Sequence, residues 1–209
     1  MTTDQPRARR AYRSPRREQQ AAETRAAVLA AADRLFAERG WAGTGMREVA
    51  RAAGVSVETV YASFHSKTGL LMAAIDVAVV GDDEPVPLNQ RPEFAALTSG
   101  TRPERIAAAA RLGTIIHQRT AGVYLALREA AASDADLARH LQVTQDRRRI
   151  TIAEIMSSIA GRAVTPQERD GLTAIASVEV FHLLTELSGW TPQQYETWLA
   201  EVIDRLLDP

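Results

Sequence analysis

The chain has 209 residues, of which 45% are hydrophobic, 24% are charged and none is cysteine. It is long enough to bury a sizeable core, and disulfides, thiolate metal sites and cysteine redox sensing are excluded. A net charge of -1 hides a division: residues 1–67 carry twelve Lys/Arg against seven Asp/Glu (net +5), and the rest carry thirteen against nineteen (net -6).

A basic segment joined to an acidic one is the balance expected of a DNA-binding part on a part that does not bind DNA. The longest apolar run, Leu70 to Val80, contains Asp76 and is too short to span a bilayer. The arginine-rich start has no apolar stretch of signal-peptide length, so a soluble, cytoplasmic protein without a membrane partner is expected.

Residues 1–17 hold Arg7, Arg9, Arg10, Arg13, Arg16 and Arg17 with little apolar content. They read as a basic arm that is disordered in free solution, and two roles stay open: a solvated tail, or an arm that orders along DNA. A helix is expected from about Glu18 to Arg39, with Val28, Ala32, Leu35 and Phe36 on one face and Gly40 ending it. From Gly45 the chain reads as two short helices around a tight turn. Met46, Val49, Ala50 and Ala53 share a face of the first, Gly54 suits the left-handed turn, and Ser56 suits the N-cap of the second. Val55 and Val60 can pack between the two, leaving Val57, Glu58, Thr59 and Tyr61 to face outward. A helix capped by Ser66 follows to about Val80, with Leu70, Leu71, Ala74, Ile75 and Ala78 buried. Gly81 to Pro103 is a proline-rich connector with room for a short helix near Glu93–Thr98.

Beyond Pro103 the chain reads as helix without a convincing strand. Spans of Pro103–Arg119, Ala121–Ala132, Asp134–Ala160, Pro166–Ser188 and Pro192–Leu207 are expected, with breaks at Gly122, Ser133, Gly161 and Gly189. Thr165-Pro166-Gln167-Glu168 and Thr191-Pro192-Gln193-Gln194 both pair a threonine cap with a proline in the first turn and an acid or amide at the third position.

Helix, turn and helix at 45–61 form a helix-turn-helix pattern, whose second helix enters the DNA major groove. Phe36, Gly40-Trp41 and Val49-Ala50 are followed by Ala53-Gly54-Val55-Ser56, Thr59-Val60-Tyr61, Phe64, Lys67 and Leu70. With these residues at these offsets, Leu35 to Leu71 resembles the DNA-binding domain of the tetracycline-repressor (TetR) family. Gly45 departs from that pattern, where Ser or Thr more often caps the helix and touches a phosphate.

The resemblance implies an all-α protein: an N-terminal three-helix helix-turn-helix domain (residues 18–67), then a helical effector-binding and dimerisation domain (residues 68–209). It implies a homodimeric, ligand-responsive regulator, a repressor released from a palindromic operator by a small-molecule effector. By position, Arg47 reaches a base edge or phosphate. Val57, Glu58 and Thr59 begin the recognition helix, where Val57 suits a thymine methyl. Glu58 can accept from a cytosine amine or act only as a helix-dipole residue that repels wrong sequences. Tyr61 and Lys67 match phosphate-clamping positions, with Thr44 and Ser63 as weaker candidates.

The last two helices are expected to form a dimer interface, through Leu172, Ile175, Val178, Phe181 and Leu184 on one and Tyr195, Trp198, Leu199, Val202, Ile203 and Leu206 on the other. Polar residues set in apolar helices are the candidates for a ligand pocket: His117, Tyr124, Arg128, Glu129, His182 and Glu186. His182 and Glu186 lie four residues apart, but two ligands, even beside His117 or His140, do not make a metal site, and neither metal nor cofactor is expected. No P-loop, G-x-S-x-G, H-E-x-x-H or dinucleotide fingerprint is present. The alternative left open is a helical small-molecule-binding protein or enzyme without DNA-binding function.

Overall fold

The computed structural model describes residues 15–82, 86 and 90–208; the Arg7, Arg9, Arg10 and Arg13 part of the arm and residues 83–85 and 87–89 of the connector lie outside them. The described residues form helices and turns without a strand. They are α1 (Pro15–Arg39), α2 (Met46–Ala53), α3 (Val57–Phe64), α4 (Lys67–Val80), α5 (Pro92–Ala95), α6 (Arg102–Ala131), α7 (Ala135–Ala160), α8 (Pro166–Ile175), α9 (Val178–His182) and α10 (Pro192–Leu206). Leu183–Leu187 extends α9 as a π-helical turn.

Local chemistry sets most of these limits. Asp134 caps α7 by accepting from the amides of Asp136 and Leu137, and Gly161 ends it at φ 68°. Thr165 and Glu168 exchange hydrogen bonds at the start of α8, as Thr191 and Gln194 do at the start of α10.

Two expected breaks moved. Gly122 does not divide the span around it, and α6 runs unbroken for 30 residues. A Cβ at Gly122 would fall on Ala37 of α1, so this glycine lets two helices approach instead of ending one. The span expected from Pro166 to Ser188 is interrupted at Ala176, and Ser177 caps a new helix by accepting from the Val180 amide. Helix α1 starts at Pro15, so Arg16 and Arg17 belong to its first turn rather than to the arm.

Among the described residues two hydrophobic clusters form the core, and α6 belongs to both. One gathers Val28, Leu35, Phe36, Val49, Val60, Phe64, Leu70 and Leu71 with Val123, Leu127 and Leu137. The other gathers Ile106, Met156, Ile159, Leu172, Phe181, Tyr195, Leu199 and Ile203. Phe181 and Tyr195 meet edge to face at 5.0 Å, a preferred aromatic geometry. The start of α6 is tied to α10 by an ion pair between Arg102 and Asp204. No helix among the described residues is long and apolar enough to cross a membrane.

Candidate DNA interface and ligand cavity

The turn between α2 and α3 is built by backbone bonds that only a left-handed residue allows. Gly54 takes φ 70°, its amide donates to Arg51 at 3.3 Å, and the Val55 amide donates to Ala50 at 3.0 Å, the paired closure of a Schellman motif. Ser56 then caps α3, accepting from the Thr59 amide at 3.2 Å. At the other end of α2, where Gly45 offers no side chain, Glu48 accepts the Gly45 amide at 2.7 Å and supplies half of a capping box.

Val60 and Phe64 anchor α3 in the core, leaving Glu58, Tyr61 and Ser63 exposed, with Arg47 exposed on α2. Arg17 and Gln20 of α1 share a shallow cleft with Thr59 and Ser63, so the first turn of α1 flanks α3. Val57 and Thr59 are half-buried rather than fully outward. Val57 packs against the core, and the Thr59 hydroxyl is paired with the Ser56 hydroxyl at 3.0 Å.

Two expected phosphate contacts are otherwise engaged. Thr44 is 2% exposed, and its hydroxyl lies within hydrogen-bond reach of the Leu35 and Gly40 carbonyls at 3.0 and 2.9 Å. It therefore closes the α1–α2 corner and presents nothing to a phosphate. Lys67 donates to the Trp41 carbonyl, and its ammonium stands 4.1 Å over the Trp41 ring. Burial holds the Lys67 pKa below the ordinary lysine value, against the opposing pull of Glu129 and Glu48. Lys67 thus pins the start of α4 to the α1–α2 turn.

The same turn is held from the other side by α6. Glu129 accepts from the Trp41 amide at 2.7 Å and the Ala42 amide at 3.1 Å. Gly40, at φ 66°, leaves space for that carboxylate, which a Cβ there would strike. Trp41 stacks on Phe36 at 6.1 Å. Glu129, expected in a ligand pocket, is instead a link between α6 and the helix-turn-helix.

A cavity of about 300 Å³ opens among α4–α7 and α10, with Leu112, Ile116, Leu199 and Ile203 among its apolar walls and Val79 of α4 at one side. Of the six pocket candidates only His117 lines it. His117 is buried, and the Tyr195 hydroxyl lies 3.3 Å from its Nδ1. Burial, with the nearby Arg148 charge, pushes its pKa down to about 3, so it is neutral at physiological pH.

The remaining candidates lie elsewhere for evident reasons. Arg128 pairs with Glu179 at 3.2 Å. The Tyr124 hydroxyl accepts from Gln145 at 3.3 Å. The helix widens to a π turn just after His182, so a four-residue step no longer stacks Glu186 above it, and Glu186 is exposed. No cluster of three metal-ligating side chains occurs among the described residues.

Sequence reasoning missed Thr144, Arg148 and Thr151, which line the cavity from α7. Their spacing of four and three residues was visible, but Arg147, Arg148 and Arg149 are consecutive, and only packing selects the middle one.

The expected dimer stripes are split by the fold. Tyr195, Leu199 and Ile203 are buried within the subunit, as are Leu172, Val178 and Phe181, whereas Leu206 is exposed. Leu183 and Leu187, on the π turn, are 51% and 72% exposed.

Residues 28–74 match the family model described as bacterial regulatory proteins, tetR family. Over 61 residues the chain is 39% identical to the HTH-type transcriptional regulator TtgR of Pseudomonas putida, a stretch covering 29% of each protein. The chain thus matches less than a third of the length of that curated relative. At the level of fold, a member of the TetR family from Streptomyces coelicolor A3 superposes with a TM-score of 0.62 at 21% identity, over 90% of this chain and 99% of that one. A transcriptional regulator from Rhodococcus sp. Rha1 does so with a TM-score of 0.62 at 21% identity, over 88% and 95%.

Proposed function

We propose, from the premise that the chain belongs to the tetR family of bacterial regulatory proteins through its amino-terminal domain, that it is a homodimeric transcriptional regulator whose hold on DNA is set by a small molecule. In this reading residues 18–67 form the DNA-binding domain and residues 68–209 the effector-binding and dimerisation domain. The protein is a repressor: the unliganded dimer occupies a palindromic operator and ligand releases it. The paired α3 helices enter successive major grooves, about one DNA turn apart. Arg47, Tyr61, Ser63 and the first turn of α1 meet phosphates or base edges, and Glu58 faces the bases.

One observation carries the reading. Helix α4 has Val79 on the cavity wall at one end, and Lys67 on the Trp41 turn of the helix-turn-helix at the other. A ligand that moves α4 therefore bears on the separation of the two recognition helices, and a two-state coupling between cavity and DNA follows. The exposed Leu183, Leu187 and Leu206 support an outer face of the π turn and α10 as the dimer contact.

The test is to incubate the purified protein with the DNA flanking its own gene and map protection. A protected palindrome with two half-sites about one turn apart supports the reading. A monomer that protects no site, or turns over a small molecule without any effect of DNA, would favour the helical binding protein or enzyme instead.

A further inference from the structure

Apart from His117 of α6, the polar side chains lining the cavity stand along α7. There Thr144, Arg148 and Thr151 share one helical face, and Arg148 is the only charged residue among the described residues lining it. Among the described residues Arg148 makes neither an ion pair nor a hydrogen bond. Glu179 acts on it electrostatically but is bonded to Arg128 at 3.2 Å.

The threonines repeat the pattern. Thr114, Thr120, Thr173, Thr185 and Thr197 each donate to the carbonyl four residues earlier. Thr144 and Thr151 make no side-chain hydrogen bond to any described residue, so their hydroxyls remain open to whatever fills the cavity.

Arg148 is half-buried, and burial holds its pKa below the ordinary arginine value against the pull of Tyr124 and Glu179; a partly desolvated guanidinium carries a cost that an anion beside it relieves. Its fork matches a carboxylate in two parallel bonds. A phosphate monoester would bring a second negative charge with no second cation on the wall, since His117 is neutral there.

We propose that the cavity binds an amphipathic organic carboxylate. The carboxylate sits on Arg148 and the Thr144 and Thr151 hydroxyls, and the apolar body lies among Leu112, Ile116, Leu199 and Ile203. A volume of about 300 Å³ is at the small end for ligand pockets and suits a single chain or fused ring system. The proposal rests on this cavity being the effector site of the function proposed above.

The test is calorimetric titration of the full-length protein with decanoate, decanol and decylamine, and with naphthylacetate and naphthylethanol. At least one carboxylate is expected to bind roughly ten- to a hundredfold more tightly than its alcohol. That preference should fall close to unity in Arg148→Gln, survive largely in Arg148→Lys, and shrink several-fold in Thr144→Val, whose near-isosteric change leaves the helix intact. Alcohols or decylamine binding as well as the carboxylates, no binding by any probe, or a preference unchanged in both Arg148→Gln and Thr144→Val would overturn the assignment. DNA binding measured in parallel keeps the two claims apart. Arg148-dependent carboxylate binding that leaves DNA affinity unchanged supports the anion site and defeats the effector reading. Intact operator binding with no carboxylate preference defeats the anion site and leaves the DNA-binding reading standing.

Discussion

Removing the Glu129 carboxylate tests whether α6 holds the helix-turn-helix in place. Glu129 accepts two backbone amides, from Trp41 at 2.7 Å and Ala42 at 3.1 Å, across a sequence gap of 88 and 87 residues. Hydrogen bonds to a charged group contribute about 1.5–3 kcal/mol each when shielded, and these are solvent-exposed, so the pair is worth roughly 2 kcal/mol. Glu129→Ala should lose that sum and Glu129→Gln, which keeps one neutral acceptor, about half of it. For a chain of this length the expected fall in Tm is about 4–8 °C for Ala and roughly half that for Gln. Thermal unfolding at fixed protein concentration measures the shift. Hydrogen exchange locates it, because the Trp41 and Ala42 amides should lose protection before those of α8 and α10. A Tm within about 1 °C of wild type in the Ala variant, with unchanged exchange at the two amides, would refute the tether.

Arg47→Ala and Tyr61→Phe should each weaken operator binding without lowering Tm, and the Arg47 change should flatten the salt dependence by about one charge per half-site. Lys67→Ala should instead lower Tm, since its ammonium serves Trp41; anisotropy titrations across salt concentrations, paired with melts, separate the two behaviours. Leu187→Glu should yield a folded monomer with weakened operator binding, seen by sedimentation and circular dichroism; a stable dimer would move the interface elsewhere. His117 contributes a pH dependence of defined sign. Its folded pKa of about 3 lies below the ordinary 6.5, so the unfolded chain binds the extra proton between those values and stability is lost as pH falls through that window. His117→Asn should flatten that part of the stability profile relative to wild type, as read from urea unfolding at pH steps; parallel profiles would contradict the assignment.

How far the sequence carried each element follows from where its information resides. The helix-turn-helix was legible because its parts are local. Gly54 needs a left-handed backbone, Ser56 reaches an amide three residues on, and the apolar face of α2 repeats with the helical period. The threonine caps of α8 and α10 are local for the same reason. Gly122 and Ala176 misled in opposite directions. A glycine marks either a helix end or a close approach, and only the position of Ala37 selects the second. At Ala176 the cap-forming Ser177 that follows is the one local mark of the break, and a serine alone does not end a helix.

The site divides along the same line. The chain by itself determined an all-helical protein, a helix-turn-helix that resembles that of the tetR family, and a basic amino-terminal part joined to an acidic remainder, since periodicity, caps and charge are written within a few residues of one another. Tertiary structure alone decided that Thr44 and Lys67 serve the α1–α2 corner, that Glu129 bridges two parts of the chain, and that Arg148, among three consecutive arginines, faces the cavity. Each of those roles depends on a partner dozens of residues away or on the rotation of one helix against others, and neighbouring residues carry no record of either.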